Sequence, residues 1–542
     1  MAGDSTFRSQ TVRRYLEGRG LSLDSKALSQ FLAARLKDLT PPEAMVGRTE
    51  TARRLAQAVR EGESVVVFGD YDCDGMTSAA ILTDALRKLG AKRVTPLVAS
   101  RFSGGYGLSG PALERVLRAE PTLVVTCDCG SSDHAALRQL QERGIDAVVI
   151  DHHLVPAEPL PVLAFLNPHR PECGFPYKGL ASCGLSLSVV AALRNELGKE
   201  LDVRQWLDLV AIGTIADVAP LEGDNRALTR AGLELLAEAK RPGLRALFEV
   251  MGLTRGERLR ASDVSFRLAP RLNAPGRLGP ADIVLELLLS ENAEQARGLA
   301  AEVERLCIVR REEQDRMWKE ALAEAEKAPP GALVLGREGW NHGIVGIVAG
   351  RLAEERSAPT IVIGFEQGIG RGSARGPAGF PLFDAIAECS DCLVRFGGHQ
   401  AAAGLELEIS KLERFSDAFR QACARRTDFV PLEKVPTLEL DPRDTARDVL
   451  FDLSLLEPCG EKNPRPELCV EALVRSSRVV KGDHLKLELR LPSGEDVAGF
   501  GPNLGSKVPE PQSKVKVVFD VREDRYRGGD AIELLVRKLS PS

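Results

Sequence analysis

Four short, largely β-branched runs in the first third of the chain constrain its fold more than any other feature. They are Ser64-Val-Val-Val-Phe68, Val94–Val98, Thr122–Cys127 and Ala147–Ile150. Each is too short for a stable helix and is bounded by polar residues, so each reads as a buried strand. Helical patterns lie between them at about Thr77–Leu89, Pro111–Arg118 and Ser132–Arg143. Strands alternating with helices imply an α/β unit with a parallel sheet covered on both faces.

The chemistry shows in where these strands stop. The first continues into Gly69-Asp70-Tyr71-Asp72-Cys73-Asp74-Gly75, the third into Asp128-Cys129-Gly130 and the fourth into Asp151-His152-His153. Carboxyl ends of parallel strands share one edge, and ligands bind there. Carboxylates gathered at one place repel unless positive charge sits between them. Hard divalent cations favour oxygen ligands, and Mn²⁺ also accepts imidazole. The pattern therefore points to a metal site with room in its donor set for two ions. Each segment has an ordinary alternative: a helix cap, a strand-end turn, a pair of solvated loop histidines. Their coincidence on separate strand ends favours the metal. An EF-hand is excluded, because its twelfth position counted from Asp70 is Ile81 rather than a bidentate Glu.

Further along, helices are expected at Gly184–Leu197 and Val203–Ile215, and one long helix from Ala293 to Lys327. Asn292 is its expected cap, with Gln295 as capping-box partner, and Pro329-Pro330-Gly331 ends it. At 1.5 Å per residue it reaches roughly 50 Å, the length of a strut between two domains. A second α/β segment starts at Ala332-Leu-Val-Leu335. Runs at Leu468–Val474, His484–Leu491, Val515–Val521 and Ile532–Val536 suggest a small all-β barrel. The expected division is a helical segment over 1–60 and a catalytic domain over 61–280. The connecting helix follows over 281–330, then a second α/β domain over 331–428 and a barrel over 429–542.

VVVFGDYDCDG, VVTCDCGSS, VVIDHH and AIGTIADVAPL, in that order, resemble the four motifs of the DHH phosphoesterase family. Four later segments are similar to its branch of single-strand-specific 5′→3′ DNA exonucleases. They are Ser265–Leu278, Trp340-Asn-His-Gly-Ile-Val-Gly346, Gly372-Ser-Ala-Arg-Gly376 and Gly397-Gly-His-Gln-Ala-Ala-Ala-Gly404. The resemblance covers about residues 45–540. It implies metal ligation by Asp72, Asp74, Asp128, His152 and Asp217, with Asp70 and Asp151 supporting them. His153 then lies nearer the substrate phosphate. Asp217 enters only through the resemblance, since its spacing alone reads as a helix-end turn. Cys73 and Ser131 depart from the usual pattern without removing a ligand, although Cys73, Cys127 and Cys129 leave room for adventitious Zn²⁺.

The resemblance further implies Mn²⁺ or Mg²⁺, with two ions expected, and hydrolysis of single-stranded DNA to mononucleotides in repair and recombination. Two metals lower the pKa of a bridging water and clamp an in-line displacement. Substrate contacts are expected from Arg271, Asn273 and Arg277 around an Asn-Ala-Pro-Gly turn, and from Ser373, Arg375, Gly397, Gly398 and His399 in Gly-rich loops. The barrel resembles an OB-fold, with Phe500 and Tyr526 its candidate stacking aromatics. A helicase and a single-strand-binding protein are partners by resemblance only. Competing readings are an oligoribonuclease, a pyrophosphatase and a non-catalytic replication scaffold.

Composition narrows the class. With 44% hydrophobic and 27% charged residues, the 542-residue chain is no disordered polymer. A net charge of −5 announces no global attraction to nucleic acid, so any basic groove is local. Eleven cysteines, an odd number, suggest reduced thiols, and neither a signal peptide nor a membrane span is evident. A cytoplasmic location is the expectation. Cys389-Ser-Asp-Cys392 lacks a second ligand pair and reads as unrelated thiols.

Overall fold

A computed structural model describes residues 7–23, 25–398, 402–426, 437–524, 527–528 and 531–542. The four runs form β1 (Ser64–Gly69), β2 (Arg93–Val98), β3 (Leu123–Cys127) and β4 (Asp146–Ile150), joined by a three-residue β5 (Ala164–Leu166). The sheet is wholly parallel in the order β2-β1-β3-β4-β5. Alternate residues serve opposite faces. Val65, Val67, Val125 and Val148 enter the main core, while Val66, Phe68, Val124 and Val149 pack beneath the helices Gly110–Arg118 and His134–Glu142. The main core also takes helices α1 (Cys73–Lys88), α2 (Ser182–Glu196), α3 (Leu207–Ala216) and α4 (Gly223–Ala237).

The long helix α5 (Ala293–Ala325) starts at Asn292, whose side chain accepts the N–H groups of Glu294 and Gln295. The capping box is not completed as expected: the Gln295 amide oxygen turns to the Ser290 hydroxyl, 3.5 Å away. Ala296, Ala300 and Val303 anchor its first half in the catalytic core, and Met317, Trp318 and Ala321 anchor its second half in the next domain. It therefore fixes the spacing of two α/β units.

The second unit carries β6 (Leu333–Glu338), helix α6 (Val345–Arg356), β7 (Thr360–Glu366), β8 (Ile369–Arg375), β9 (Arg395–Gly398) and β10 (Ala402–Glu408). Its order is β6-β7-β8-β10-β9, parallel only between β6 and β7. The last unit is a barrel of β12 (Glu467–Val480), β13 (His484–Arg490), β14 (Asp496–Gly501), β15 (Lys514–Glu523) and β16 (Ile532–Pro541), closed by the β12–β15 pair. A short β11 (Thr437–Glu439) extends its edge.

The first sixty residues divide between two bodies. Phe7, Val12, Tyr15, Leu16 and Leu28 lie in the barrel's core, whereas the helix Arg48–Glu61 packs on the first domain. Arg226 on α4 then ties the two bodies together. Buried over the Phe31 ring, it donates to the carbonyls of Phe31, Leu456, Glu457 and Pro458. Among the described residues no helix is long and apolar enough to cross a membrane. All eleven cysteines are free, Cys389 and Cys392 included.

Candidate active site

Strand ends build the acidic side of the site. Asp70 follows β1, buried, with Oδ1 lacking a protein partner. Asp72 caps α1, accepting the Asp74 and Gly75 N–H groups at 3.0 and 3.1 Å. Glycine is required at 75, because a Cβ there would lie 2.5 Å from the Asp70 backbone. Asp74 accepts the N–H groups of Ser182 at 2.7 Å and Cys183 at 2.9 Å. These are orphan donors at the start of α2, where a negative group is favoured.

β3 delivers Asp128 at φ +62°, a left-handed conformation that Asp tolerates better than most residues. β4 delivers Asp151, which accepts the Ser131 N–H at 3.1 Å, the His152 N–H at 2.8 Å and the His153 Nδ1–H at 2.7 Å. Burial opposes ionisation of both partners. The His153 bond wins and holds Asp151 at about 2, and the same bond lifts His153 to about 9. The Tyr106 hydroxyl donates to the Asp128 carbonyl at 3.0 Å and lies 3.1 Å from His153 Nδ1. Asp217 closes α3.

These segments converge on His152. Its Nε2 lies 3.1 Å from Asp128 Oδ1 and 3.8 Å from both Asp74 Oδ2 and Asp217 Oδ2. Among the described residues two groups have ligand atoms within 4.8 Å of one another: Asp74, His152 and Asp217; and Asp128, His152 and His153. Asp72 belongs to neither, yet its charge raises the carboxyls of Asp74, Asp128 and Asp217. Burial first, then repulsion from Asp74 and Asp72, pushes Asp128 well above the usual carboxylate range and Asp217 to about 8. Buried carboxylates this costly to ionise call for a cation among them. Oxygen donors with one or two imidazoles suit Mn²⁺ or Mg²⁺. The thiols of Cys73, Cys127 and Cys129 are all raised by burial, which favours their protonated form.

A cationic cluster adjoins the acids. Arg101 stacks on Tyr71, 4.4 Å from its ring centroid. Arg277 is half-buried, donates to the Gly343 carbonyl at 3.0 Å, and falls to about 10 through desolvation and repulsion from Arg101 and Arg310. Arg375, lowered by burial and Arg101, bonds Ser373 Oγ at 2.8 Å. Gly343 permits this packing, since a Cβ would lie 2.1 Å from the Arg277 carbonyl oxygen. Arg277 and Arg375 are thus both lowered, by burial first and then by the charge of Arg101, which gathers positive charge beside the acids.

The other expected contacts are distributed. Arg271 is held by Glu304 on α5 and by the Arg267 carbonyl. Asn273 lines a neighbouring cavity, between the short helices Ala269–Leu272 and Pro275–Leu278. Gly397 lies on edge strand β9, two strand spacings or roughly 10 Å from Ser373, through Gly404; Gly398 pairs with Ala403. His399 and Tyr526 lie outside the described residues. Phe500 meets His484 edge-on at 5.5 Å, with the Arg522 guanidinium 5.7 Å above it.

Sequence reading missed Arg101, Tyr106 and Arg310. Arg101 and Tyr106 follow β2, so the strand-end rule that places the acids reaches them too. Arg310 lies on a helix read only as a strut.

Residues 64–214 match the DHH family, N-terminal domain; 330–425 match the DHHA1 domain; and 437–538 match the RecJ OB domain. The chain is 33% identical to the single-stranded-DNA-specific exonuclease RecJ of Escherichia coli, over 98% of this chain and 96% of that protein. It is 34% identical to the exonuclease of the same name from Bacillus subtilis, over 94% of this chain but 66% of that longer protein. The crystal structure of RecJ in complex with Mn²⁺ from Thermus thermophilus superposes with a TM-score of 0.80 at 33% identity, covering 97% of this chain and 75% of that one. The Mg²⁺ complex from the same organism gives 0.75 at 30% identity, covering 98% and 75%.

Proposed function

The chain belongs to the RecJ family of DHH phosphoesterases, and on that premise we propose that it is a metal-dependent exonuclease removing mononucleotides from the 5′ end of single-stranded DNA in repair and recombination. One observation carries the reading: a donor set for divalent cations stands beside a cluster of four arginines, in a chain that also carries an OB barrel.

Asp74, Asp128, His152 and Asp217 would hold the metal, with Asp72 adding charge and Asp70 and Asp151 shaping the site. Bound ions supply a water of lowered pKa and draw charge from the phosphoryl oxygens. Asp151 orients His153 and favours its protonated form, which suits donation to a phosphoryl oxygen. Arg101, Arg277, Arg375 and Ser373 hold a terminal phosphate, which gives the strand its polarity. The same reading assigns strand contacts to Asn273, Arg271, Gly397, Gly398 and, from the sequence alone, His399. A helicase that exposes strands and a protein that keeps them single are fitting partners. Eleven free thiols accord with the cytoplasm.

The test uses single-stranded DNA labelled at either end, with Mn²⁺ or a chelator. Early release of 5′-labelled mononucleotide, only with metal, is the expected result. Metal-dependent loss of short RNA alone would favour an oligoribonuclease, and inertness toward both would favour a scaffold.

A further inference from the structure

The loop after β2 delivers two groups to the site on a backbone of unusual freedom. Arg101 opens it, stacked on Tyr71, and its Nε has no hydrogen-bond partner among the described residues. Tyr106 lies near its end: the hydroxyl donates to the Asp128 carbonyl, and the ring meets His153 edge-on at 5.5 Å. Between them Gly104 and Gly105 take φ of +102° and +85°, where glycine fits without clash but gives up the most conformational entropy. The Ser103 and Gly105 N–H groups donate to the Ser100 carbonyl at 3.2 and 3.1 Å, which fixes the first end of the loop. The second end is fixed from another part of the chain.

Asp133, on the turn that follows β3, is the anchor. Its Oδ2 accepts the Leu108 N–H at 2.7 Å. Gly107 lies so close that a Cβ there would fall 2.6 Å from Oδ2 and 2.8 Å from Oδ1. Burial raises the Asp133 carboxyl, and the Leu108 N–H opposes that rise. Asp133 also occupies the N-cap of the helix His134–Glu142, where a carboxylate ordinarily accepts the helix's own free N–H groups. It makes no such bond, which forgoes about 1 kcal/mol of helix stability. A side chain that breaks a local rule to hold a distant loop marks a functional constraint.

Ser109 repeats the pattern independently. It is the N-cap of the helix Gly110–Arg118 and likewise makes no capping bond. Its Oγ is buried without a partner among the described residues, and a Cβ at Gly104 would run into it. Both N-cap side chains beneath the loop therefore face the loop rather than their own helices. Asp133 belongs to neither group of metal donors, and the loop reaches the acids through the Asp128 carbonyl rather than its carboxylate.

We propose that Asp133 is a positioning residue for capture of the strand's terminal phosphate: by clamping the Leu108 amide it fixes the loop that presents Arg101 and Tyr106. The proposal rests on the reading of Arg101 as a phosphate contact and adds to it a residue that touches neither strand nor metal. A loop ordered only when the strand arrives weakens binding by the entropy it then loses. Clamping it beforehand removes that loss. The effect falls on capture of the phosphate and not on metal binding.

The full-length protein is tested with single strands ending in a 5′ phosphate or a 5′ hydroxyl. Affinity is measured in an Asp128→Asn background, kcat and KM in the wild-type background, and hydrogen exchange across residues 100–109. Asp133→Ala should weaken binding of the phosphorylated strand and raise its KM by about tenfold, with a smaller change in kcat. Exchange at Leu108 and its neighbours should quicken while β1 and β3 stay protected. Asp133→Asn keeps an acceptor oxygen and should restore both readouts to within about twofold. In an Arg101→Ala background, Asp133→Ala should add no more than about twofold, the signature of one residue acting through another. The rise in Tm on adding Mn²⁺ should match the wild type. Unchanged loop exchange, a full additive effect in Arg101→Ala, or a lost Mn²⁺ response overturns the proposal. Should Asp133→Ala not fold, Gly107→Ala drives a methyl into the carboxylate with Asp133 in place, and wild-type exchange and affinity there overturn it equally. If the wild type cuts no DNA while exchange and binding show the coupling, the positioning role stands and the exonuclease reading falls.

Discussion

Asp128 Oδ1 and His152 Nε2 lie 3.1 Å apart although they follow different strands. The pairing of Cys127 with Ile150 sets the two strand ends side by side, and the Asp128 N–H donates to the Ile150 carbonyl at 3.0 Å. Backbone register, not side-chain reach, thus assembles the donor set. Asp128→Asn keeps the side-chain shape and tolerates φ +62°, where Ala would add about 1–2 kcal/mol of strain. The variant should lose metal-dependent hydrolysis by at least about 10²–10³-fold, the scale of removing one charge-stabilising group. Its affinity for single strands should change little. Near-normal turnover would remove Asp128 from the ligand set.

Arg375 tests the cationic side. Its guanidinium braces Ser373 and lies in the field of Arg101. Arg375→Ala should raise KM for a 5′-phosphorylated strand more than for one ending in a hydroxyl. The dependence of affinity on salt should also become shallower by about one phosphate contact. A purely structural role would instead lower thermal stability with unchanged binding per folded molecule.

Much of this site was legible because its groups follow strand ends in short, local motifs. Asp70, Asp72, Asp74, Asp128 and Asp151 could be placed at one edge from β-branched runs alone. Asp217 could not, because it ends α3, a helix buried on all sides that carries no directional pattern. Long-range partners were equally hidden. The Ser9 N–H and hydroxyl bond Asp452 and Asp444, over four hundred residues away, which is why the first helix joins the barrel. Periodicity reveals that a face is apolar but not what covers it. β5 escaped notice because three residues carry no alternation.

Arg226 joins catalytic domain to barrel by satisfying four carbonyls with one guanidinium. Burial lowers it to about 10, so it stays charged at neutral pH. Arg226→Met removes the donors and leaves buried acceptors stranded, each costing about 1–3 kcal/mol. Hydrogen exchange should then rise first in Leu456–Asn463 and around Phe31, before the parallel sheet loosens. Uniform loss of protection across the whole chain would show instead that the barrel and the sheet unfold as one unit.

Metal removal should make stability depend on pH in a definite direction. A carboxyl whose pKa rises on folding supports the native state while protonated. That support is complete below its unfolded pKa and is lost as pH climbs through the folded one. Asp217 spans an ordinary 3.8 to about 8, and Asp70, Asp74 and Asp128 are raised by burial in the same sense. His153, lifted to about 9 by Asp151, likewise withdraws stability as pH rises toward that value. Asp151, held at about 2, contributes fully above its ordinary value and does not offset the trend near neutrality. The chelated protein should therefore melt highest near pH 5 and progressively lower toward pH 8. Adding Mn²⁺ displaces protons from these groups, so its stabilisation should grow with pH. One kcal/mol moves a domain of 150–250 residues by about 2–4 °C, well within reach of a calorimeter. Asp217→Asn should flatten the chelated profile and blunt the response to Mn²⁺ at pH 8. A chelated Tm that rises from pH 5 to 8, or an Mn²⁺ shift independent of pH, would contradict a buried carboxylate cluster that only a cation relieves.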